Sequence, residues 1–297
     1  MKPMSSSQQS SFKQVALIGR YHTPGVASNL AQLSAFLRQR GCGVLLERET
    51  ARNCGMPEAD ALDYVQIGAQ ADLAVVLGGD GSMLNAARHL ACYGVPLVGV
   101  NQGRLGFMTD IAASDMLHKI GQLLDGLYST EQRALLTARV LREGKPVFET
   151  LALNDVVVNK GAASRLVELQ VHVDGQFVFD LRADGLIIAT PTGSTAYALS
   201  SNGPIMHPDL RGLVLVPISP HTLSNRPIAL SDRAVLDITL VRAADARLHF
   251  DGQPQYDLIE GDRVVVQQAP HTITFVHPSG YSYYAMLREK LHWSESL

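Results

Sequence analysis

The chain has 297 residues, 46% of them hydrophobic and 18% charged, with a formal net charge of −3. That length and apolar share allow a sizeable core and suggest two domains, while the slightly acidic balance argues against nucleic acid as the main partner. Cys42, Cys54 and Cys92 lie far apart with no CxxC pair, which fits a reducing cytoplasm better than a disulfide framework or a zinc site.

Met1–Ser11 is polar with no apolar segment behind it, and reads as a disordered tail, not a signal peptide. Val15–Gly19 is a first strand. Leu30, Leu33 and Leu37 then mark one face of a helix over about Ala27–Arg40, and Gly43–Glu47 returns as a second strand. Arg48 to Gln66 is polar and interrupted by Gly55 and Pro57, so it reads as a mobile surface loop. The short apolar run Leu73–Leu77 has the look of a buried parallel strand. It empties into Gly78-Gly79-Asp80-Gly81-Ser82, whose glycines permit positive φ and close approach to a ligand. Ser82 is placed to cap a helix carrying Met83, Leu84, Ala87 and Leu90 at helical spacing. Val95–Val100 is another strand, followed by the loop Asn101–Phe107 and a helix near Ser114–Gly126. Strands alternating with helices in this way imply a parallel α/β layer, with ligands at the carboxyl ends of the strands. No run approaches the roughly 20 apolar residues that a membrane span needs.

Past about Leu135 the pattern changes to short strands: Arg139–Leu141, Leu151–Asn159, Leu166–Val173, Phe177–Leu181, Leu186–Ala189, Leu213–Val216, Val235–Val241, Arg247–Asp251 and Arg263–Val266. Asp174-Gly175 between alternating segments is a hairpin signal. An all-β second domain, a sandwich or close to one, follows. Tyr283–Leu291 is helix-like and is expected to pack back on the first domain. The resulting division is 1–135, with 275–297 returning to it, and 136–274.

Three groups of residues invite chemistry. A strand, a glycine turn and a helix start aim backbone N–H groups at one point that suits phosphate, with the carboxylate of Asp80 in its midst. A carboxylate there suggests a bound cation or a proton to be taken; the plain alternative is an Asp tolerated in a left-handed turn. The spacing is neither a GxGxxG fingerprint, since Leu84 stands where its third glycine should be, nor a GxxxxGK[ST] loop. Thr190-Pro191-Thr192-Gly193-Ser194-Thr195-Ala196-Tyr197 is a second tight turn, dense in hydroxyls, able to donate to phosphate, ribose or carboxamide or to serve as a solvated loop. Asn154-Asp155 interrupts an apolar strand, either lining a site or forming a bulge that satisfies local backbone. Arg165, Arg182, Gln253 and His221 read by default as surface or turn residues. The ten histidines show no metal-ligand spacing, and no GxSxG or Cys–His signature supports a hydrolase.

In order, GGDGS at 78–82, NQGRLGFMTD at 101–110, Asn154-Asp155, DGLIIATPTGSTAYALSSNGP at 184–204, SPHTLSNRP at 219–227, FDGQ at 250–253 and HPSGYSYYAMLREKLHW at 277–293 resemble the NAD kinase family in its bacterial form. The resemblance covers Val15 to Trp293 and implies an N-terminal Rossmann-like α/β domain, a C-terminal β-sandwich, and NAD bound between them. It implies ATP-dependent phosphorylation of the adenosine ribose 2′-hydroxyl of NAD, with Asp80 as proton acceptor. Gly78, Gly79 and Gly81 would bring amides to phosphate, and Asn154 and Asp155 would hold the ribose or adenine side. Asp184, Thr192, Thr195, Ala196, Tyr197 and Ser200 would line the dinucleotide site, with Arg165, Arg182 and Gln253 at its edge and Phe107 offering an apolar face. The chain departs from the family in having Ser82 where Thr is frequent, and Asp155, one methylene shorter, where Glu is usual. Without a P-loop lysine a divalent ion must neutralise much of the triphosphate charge, so Mg²⁺ is expected; whether Asp80 is base, metal ligand or both stays open. Exposed β edges suggest a homo-oligomer, dimer or tetramer. Two other readings remain: a GGDG-type kinase acting on a lipid or sugar, and an NAD-binding sensor without catalysis.

Overall fold

The computed structural model describes residues 12–19, 25–58, 60–103, 106–161, 165–222 and 224–293, without the side chains of 254 and 255; the polar N-terminal tail and Arg104-Leu105 lie outside them. The chain divides into two compact units, one running to Gln132 and resuming at Ile273, the other spanning Arg133–Thr272.

The first unit alternates strand and helix: β1 (Gln14–Gly19), α1 (Val26–Gln39), β2 (Gly43–Leu46), α2 (Arg48–Asn53), α3 (Tyr64–Gln70), β3 (Leu73–Leu77), α4 (Asp80–Leu90), β4 (Leu97–Asn101), β5 (Ile111–Ala112) and α5 (Met116–Leu124). β2, β1, β3 and β4 lie side by side and parallel, with Val15 opposite Leu73 and Ala74 opposite Leu97. Every residue of β3 and β4 is buried, as expected of strands covered on both faces. Leu30, Leu33 and Leu37 of α1 pack on this sheet with Val15, Leu17, Val75 and Val98. β1 leads to the β2 side and β3 to the β4 side, so the loops after β3 and β4 leave the carboxyl ends near a point where the strand order reverses.

Arg48–Gln66 is not simply a loop. Glu47 caps α2, accepting from the N–H groups of Glu49 at 2.8 Å and Thr50 at 2.6 Å, and Asp63 and Gln66 form a capping box on α3. Helices of six and seven residues are too short to display an apolar period, so only their caps mark them.

The second unit is built of β6 (Tyr128–Arg142), β7 (Lys145–Ala152), β8 (Asp155–Lys160), β9 (Val167–Val173), β10 (Gln176–Ala183), β11 (Gly185–Ala189), the short α6 (Tyr197–Ser200), β12 (Gly212–Ile218), β13 (Ile228–Ser231), β14 (Leu236–Arg242), β15 (Ala246–Phe250), β16 (Gln253–Leu258) and the start of β17 (Arg263–Pro278). β17 runs on into the first unit, where Phe275 pairs with Leu97 of β4, and α7 (Tyr283–Lys290) follows it. One antiparallel sheet has the order β13-β12-β11-β8-β15-β16; the other contains β10-β9-β14-β17 and the β6–β7 hairpin. Inward residues of both, such as Val156, Val158, Leu186, Ile188 and Phe250 with Leu169, Val171, Leu236 and Ile238, form one core. The opposite face of β8, β11 and β12 is also covered: Val157, Ile187, Ala189, Val214 and Val216 pack under Ala198 and Met206. That double cover explains why these strands read as unbroken apolar runs. The hairpin turn at Asp174-Gly175 takes positive φ at both residues, 51° and 76°.

Candidate active site

In the first unit the turn after β3 brings Asp80 to the first position of α4, with Gly79 as N-cap. Ser82 therefore lies inside the helix and does not cap it. None of the three glycines takes positive φ; Gly79 has φ −99°. The value of Gly79 and Gly81 is space: among the described residues, beyond chain neighbours and the helix's own backbone, a Cβ on either would meet nothing within 4 Å. The Gly78 N–H is spent on the Val100 carbonyl at 2.9 Å, continuing the β3–β4 ladder. The amides of Gly79, Asp80 and Gly81 stand where a helix leaves its first N–H groups without intrahelical partners.

The loop after β4 folds onto Asp80. Oδ2 accepts from the Phe107 N–H at 2.8 Å and Oδ1 from the Met108 N–H at 3.0 Å. Buried Asn101 braces this loop: its Nδ2 donates to Thr109 Oγ1 at 2.9 Å, and its Oδ1 accepts from Gly103 N at 2.6 Å. Thr109 Oγ1 in turn accepts from Gly106 N at 3.0 Å. Two amides fix the carboxylate's direction and leave lone pairs on each oxygen for a proton or a cation. Phe107 is half-buried and, with Asp110, Lys119, Tyr281 and Glu289, lines a cavity of about 230 Å³.

In the second unit the strand interrupted by Asn154-Asp155 breaks into β7 and β8, with Leu153 and Asn154 forming a bend. Asp155 shares the face of Val157, the one covered by Ala198 and Met206. Asn154 is 8% exposed and Asp155 2%, yet the Oδ1 atoms of both lack a hydrogen-bond partner among the described residues. Burial, and after it the negative charge of Asp251, raise the Asp155 carboxyl from 3.8 to about 7. Two buried acceptors left open are costly unless a ligand completes them.

Most hydroxyls of the turn at 190–197 are spent internally. Thr190 Oγ1 donates to the Leu153 carbonyl at 2.6 Å and accepts from Gly193 N at 3.1 Å; Ser194 donates to Pro191 O and accepts from Met206 N; Thr195 donates to Thr192 O at 3.2 Å. Thr192 accepts from Nη1 of buried Arg133 at 3.2 Å. These bonds dock the turn on the Asn154 bend, where the Asn154 carbonyl also accepts from Thr190 N at 2.9 Å. Tyr197 is exposed beyond Ala196, and with Ser200, Asn202, Ser219 and Arg226 it lines a cavity of about 560 Å³.

The remaining expected residues are exposed or ion-paired. Asp184 pairs with Lys160 Nζ at 2.5 Å, Arg182 lies 3.8 Å from Glu168, and Arg165 and Gln253 are exposed. Sequence reasoning passed over Asp251, Arg133 and Gly106. Only Asp251 carried a local signal, the Asp-Gly turn, and nothing in that signal names the partner.

Comparison with known proteins identifies the family and the fold. The family model for the ATP-NAD kinase N-terminal domain matches residues 25–131, and that for the C-terminal domain matches 153–278. An NAD kinase of Aromatoleum aromaticum is 56% identical over 284 residues, 95% of either chain. One from an Azoarcus species is 54% identical over 95% of this chain and 97% of its own. Among solved structures, a yeast NADH kinase complexed with NADH superposes with a TM-score of 0.88 at 24% identity, covering 98% of this chain and 90% of the other. An Archaeoglobus fulgidus NAD kinase in complex with ATP gives 0.70 at 21% identity, covering 94% and 97%. At those identities the two structures speak for the fold.

Proposed function

The chain belongs to the NAD kinase family and phosphorylates NAD to NADP at the expense of ATP, and we propose that Asp80 takes the proton of the adenosine ribose 2′-hydroxyl as the phosphoryl group arrives. The observation that carries this role is the Asp80 carboxylate itself, aimed by the amides of Phe107 and Met108 and retaining lone pairs on both oxygens. Phosphoryl transfer asks a protein mainly for positioning and charge stabilisation, with one group to accept the hydroxyl proton.

The first-turn amides of α4 and the open space over Gly79 and Gly81 support a phosphate seat, favoured further by the helix dipole. Among the described residues no three His, Cys, Asp or Glu side chains gather to hold a metal. Mg²⁺ takes one or two carboxylates and otherwise substrate phosphates and water. Asp80 is the carboxylate that would touch it, and the cation when bound neutralises triphosphate charge. In the second unit the open Oδ1 atoms of Asn154 and Asp155 support their assignment as acceptors for ribose hydroxyl or adenine amino donors of NAD. Tyr197 and Ser200, at the mouth of the larger cavity, offer a stacking face and a hydroxyl. Asp184, oriented by Lys160, keeps its assignment to the lining of the dinucleotide site.

Three unpaired cysteines support a reducing cytoplasmic setting. Exposed Phe177 and Val178 on β10, at the end of its sheet, support association of copies. The deciding assay is NADP formed from NAD, ATP and Mg²⁺ by wild type and Asp80→Asn. The variant should lose turnover by a factor on the order of 10²–10⁴ while its affinity for NAD is largely kept. Near-normal turnover would remove Asp80 from the chemistry.

A further inference from the structure

The bend at 153–155 has a support that lies about a hundred residues away in sequence. β7 ends at Ala152 and β8 begins at Asp155, so the amides between them have no place in a sheet ladder. The Asp251 carboxylate takes their place. Oδ1 accepts from Asn154 N at 2.7 Å and Asp155 N at 3.4 Å, and Oδ2 accepts from Leu153 N at 3.3 Å. The Asp251 N–H donates back to the Asp155 carbonyl at 3.1 Å. Asp251 and Gly252 form the β15–β16 turn with φ 51° and 77°, a two-residue hairpin geometry fixed by the ladder on either side. Bend and turn therefore clasp each other through four hydrogen bonds.

We propose that Asp251 is a positioning residue of the NAD site: without touching the dinucleotide, it holds the 153–155 backbone so that Asn154 and Asp155 present their Oδ1 atoms as open, buried acceptors. The inference rests on the reading of Asn154 and Asp155 as NAD ligands. The carboxylate is suited to the task because a single charged acceptor group can serve three successive amides, and charge-assisted hydrogen bonds are the strong ones. The same negative charge lies beside Asp155 and discourages its ionisation, so that ionised Asp155 is favoured chiefly when a ligand donates to it.

The test is steady-state kinetics and NAD binding of Asp251→Asn, which keeps the size of the side chain and one acceptor oxygen but loses the charge and sets an NH₂ against a backbone N–H. The expected result is a KM for NAD raised about 10-fold or more with the KM for ATP within about twofold, because only the dinucleotide acceptors move. Unchanged KM for NAD in a folded variant overturns the proposal. Amide exchange in the wild type gives a reading that does not depend on the variant's folding: without NAD, the Asn154 amide should be protected as strongly as those of β8, and rapid exchange there overturns the clasp. Asn154→Ala and Asp155→Asn run beside it. If they leave the KM for NAD unchanged, the ligand reading fails; if they raise it and Asp251→Asn does not, the positioning role alone fails.

Discussion

A side-chain carbon on Gly106 would collide with Oδ1 of Asp80, the atom that accepts the Met108 amide. The glycine after the Arg104-Leu105 pair is thus what lets the loop close over the carboxylate. Gly106→Ala must displace the carboxylate or the two amides that aim it. Turnover should fall on the order of 10²-fold, with NAD affinity and melting temperature little altered. Near wild-type turnover would mean that the amides of Phe107 and Met108 do not set the working position of Asp80.

Asp155 makes a prediction in pH. Its folded value, raised from 3.8 to about 7 by burial and then by Asp251, lies above the unfolded one. The sign follows: the stability this group contributes is fully present below about pH 4 and is lost as pH rises through about 7. Asp155→Asn should therefore melt higher than wild type at ~pH 8, with the difference shrinking toward ~pH 4, although it binds NAD poorly. In the wild type, donors from NAD favour the carboxylate, so binding near neutrality should release up to one proton. Calorimetry in two buffers of different ionisation enthalpy measures it. Proton uptake would contradict the assignment of ribose or adenine donors to this carboxylate.

How much of this was legible beforehand depends on how local each cause is. β3, the glycine turn and α4 could be read from five apolar residues followed by a helical period, since those signals sit within about twenty residues. Asn154-Asp155 stood out because two polar side chains interrupt an apolar strand. The clasp by Asp251 could not be read, because its amide partners are remote and an Asp-Gly pair says only that the chain turns. The ion pair of Asp184 with Lys160, 24 positions earlier and 2.5 Å away, was out of reach for the same reason. The hydroxyls of 190–195 looked free to donate, yet the tight turn they build consumes most of them.

Gly193 allows that turn to meet the Asn154 bend. A Cβ there would strike the Asn154 carbonyl oxygen and carbonyl carbon, which are backbone and have little room to yield. Gly193→Ala should lower stability by about 1–3 kcal/mol through forced separation of the two segments, and should raise the KM for NAD by moving Asn154. An alanine variant with wild-type stability and KM would show that the two segments can part without effect on the site.

His277 makes the last prediction, in the first unit. Its Nδ1 meets Asp110 Oδ2 at 2.6 Å, its Nε2 meets Glu131 Oε2 at 3.1 Å, and its ring stacks on Tyr281 at 3.8 Å between centroids. The residue is 3% exposed. Burial pushes its pKa down, but the two carboxylates outweigh burial and hold it above the usual 6.5. With both ring nitrogens facing carboxylates, imidazolium is the form that donates twice. A raised folded value means that this stabilisation is complete below about 6.5 and is lost as pH climbs through the folded pKa. His277→Gln should cost about 3 kcal/mol at ~pH 6 by leaving two carboxylates without their cation. Its melting temperature should change less than that of wild type between about pH 6 and 9, so the two curves converge in alkali. Parallel curves over that range would show that the imidazole is neutral in the fold, and that the two carboxylates are held by something other than its charge.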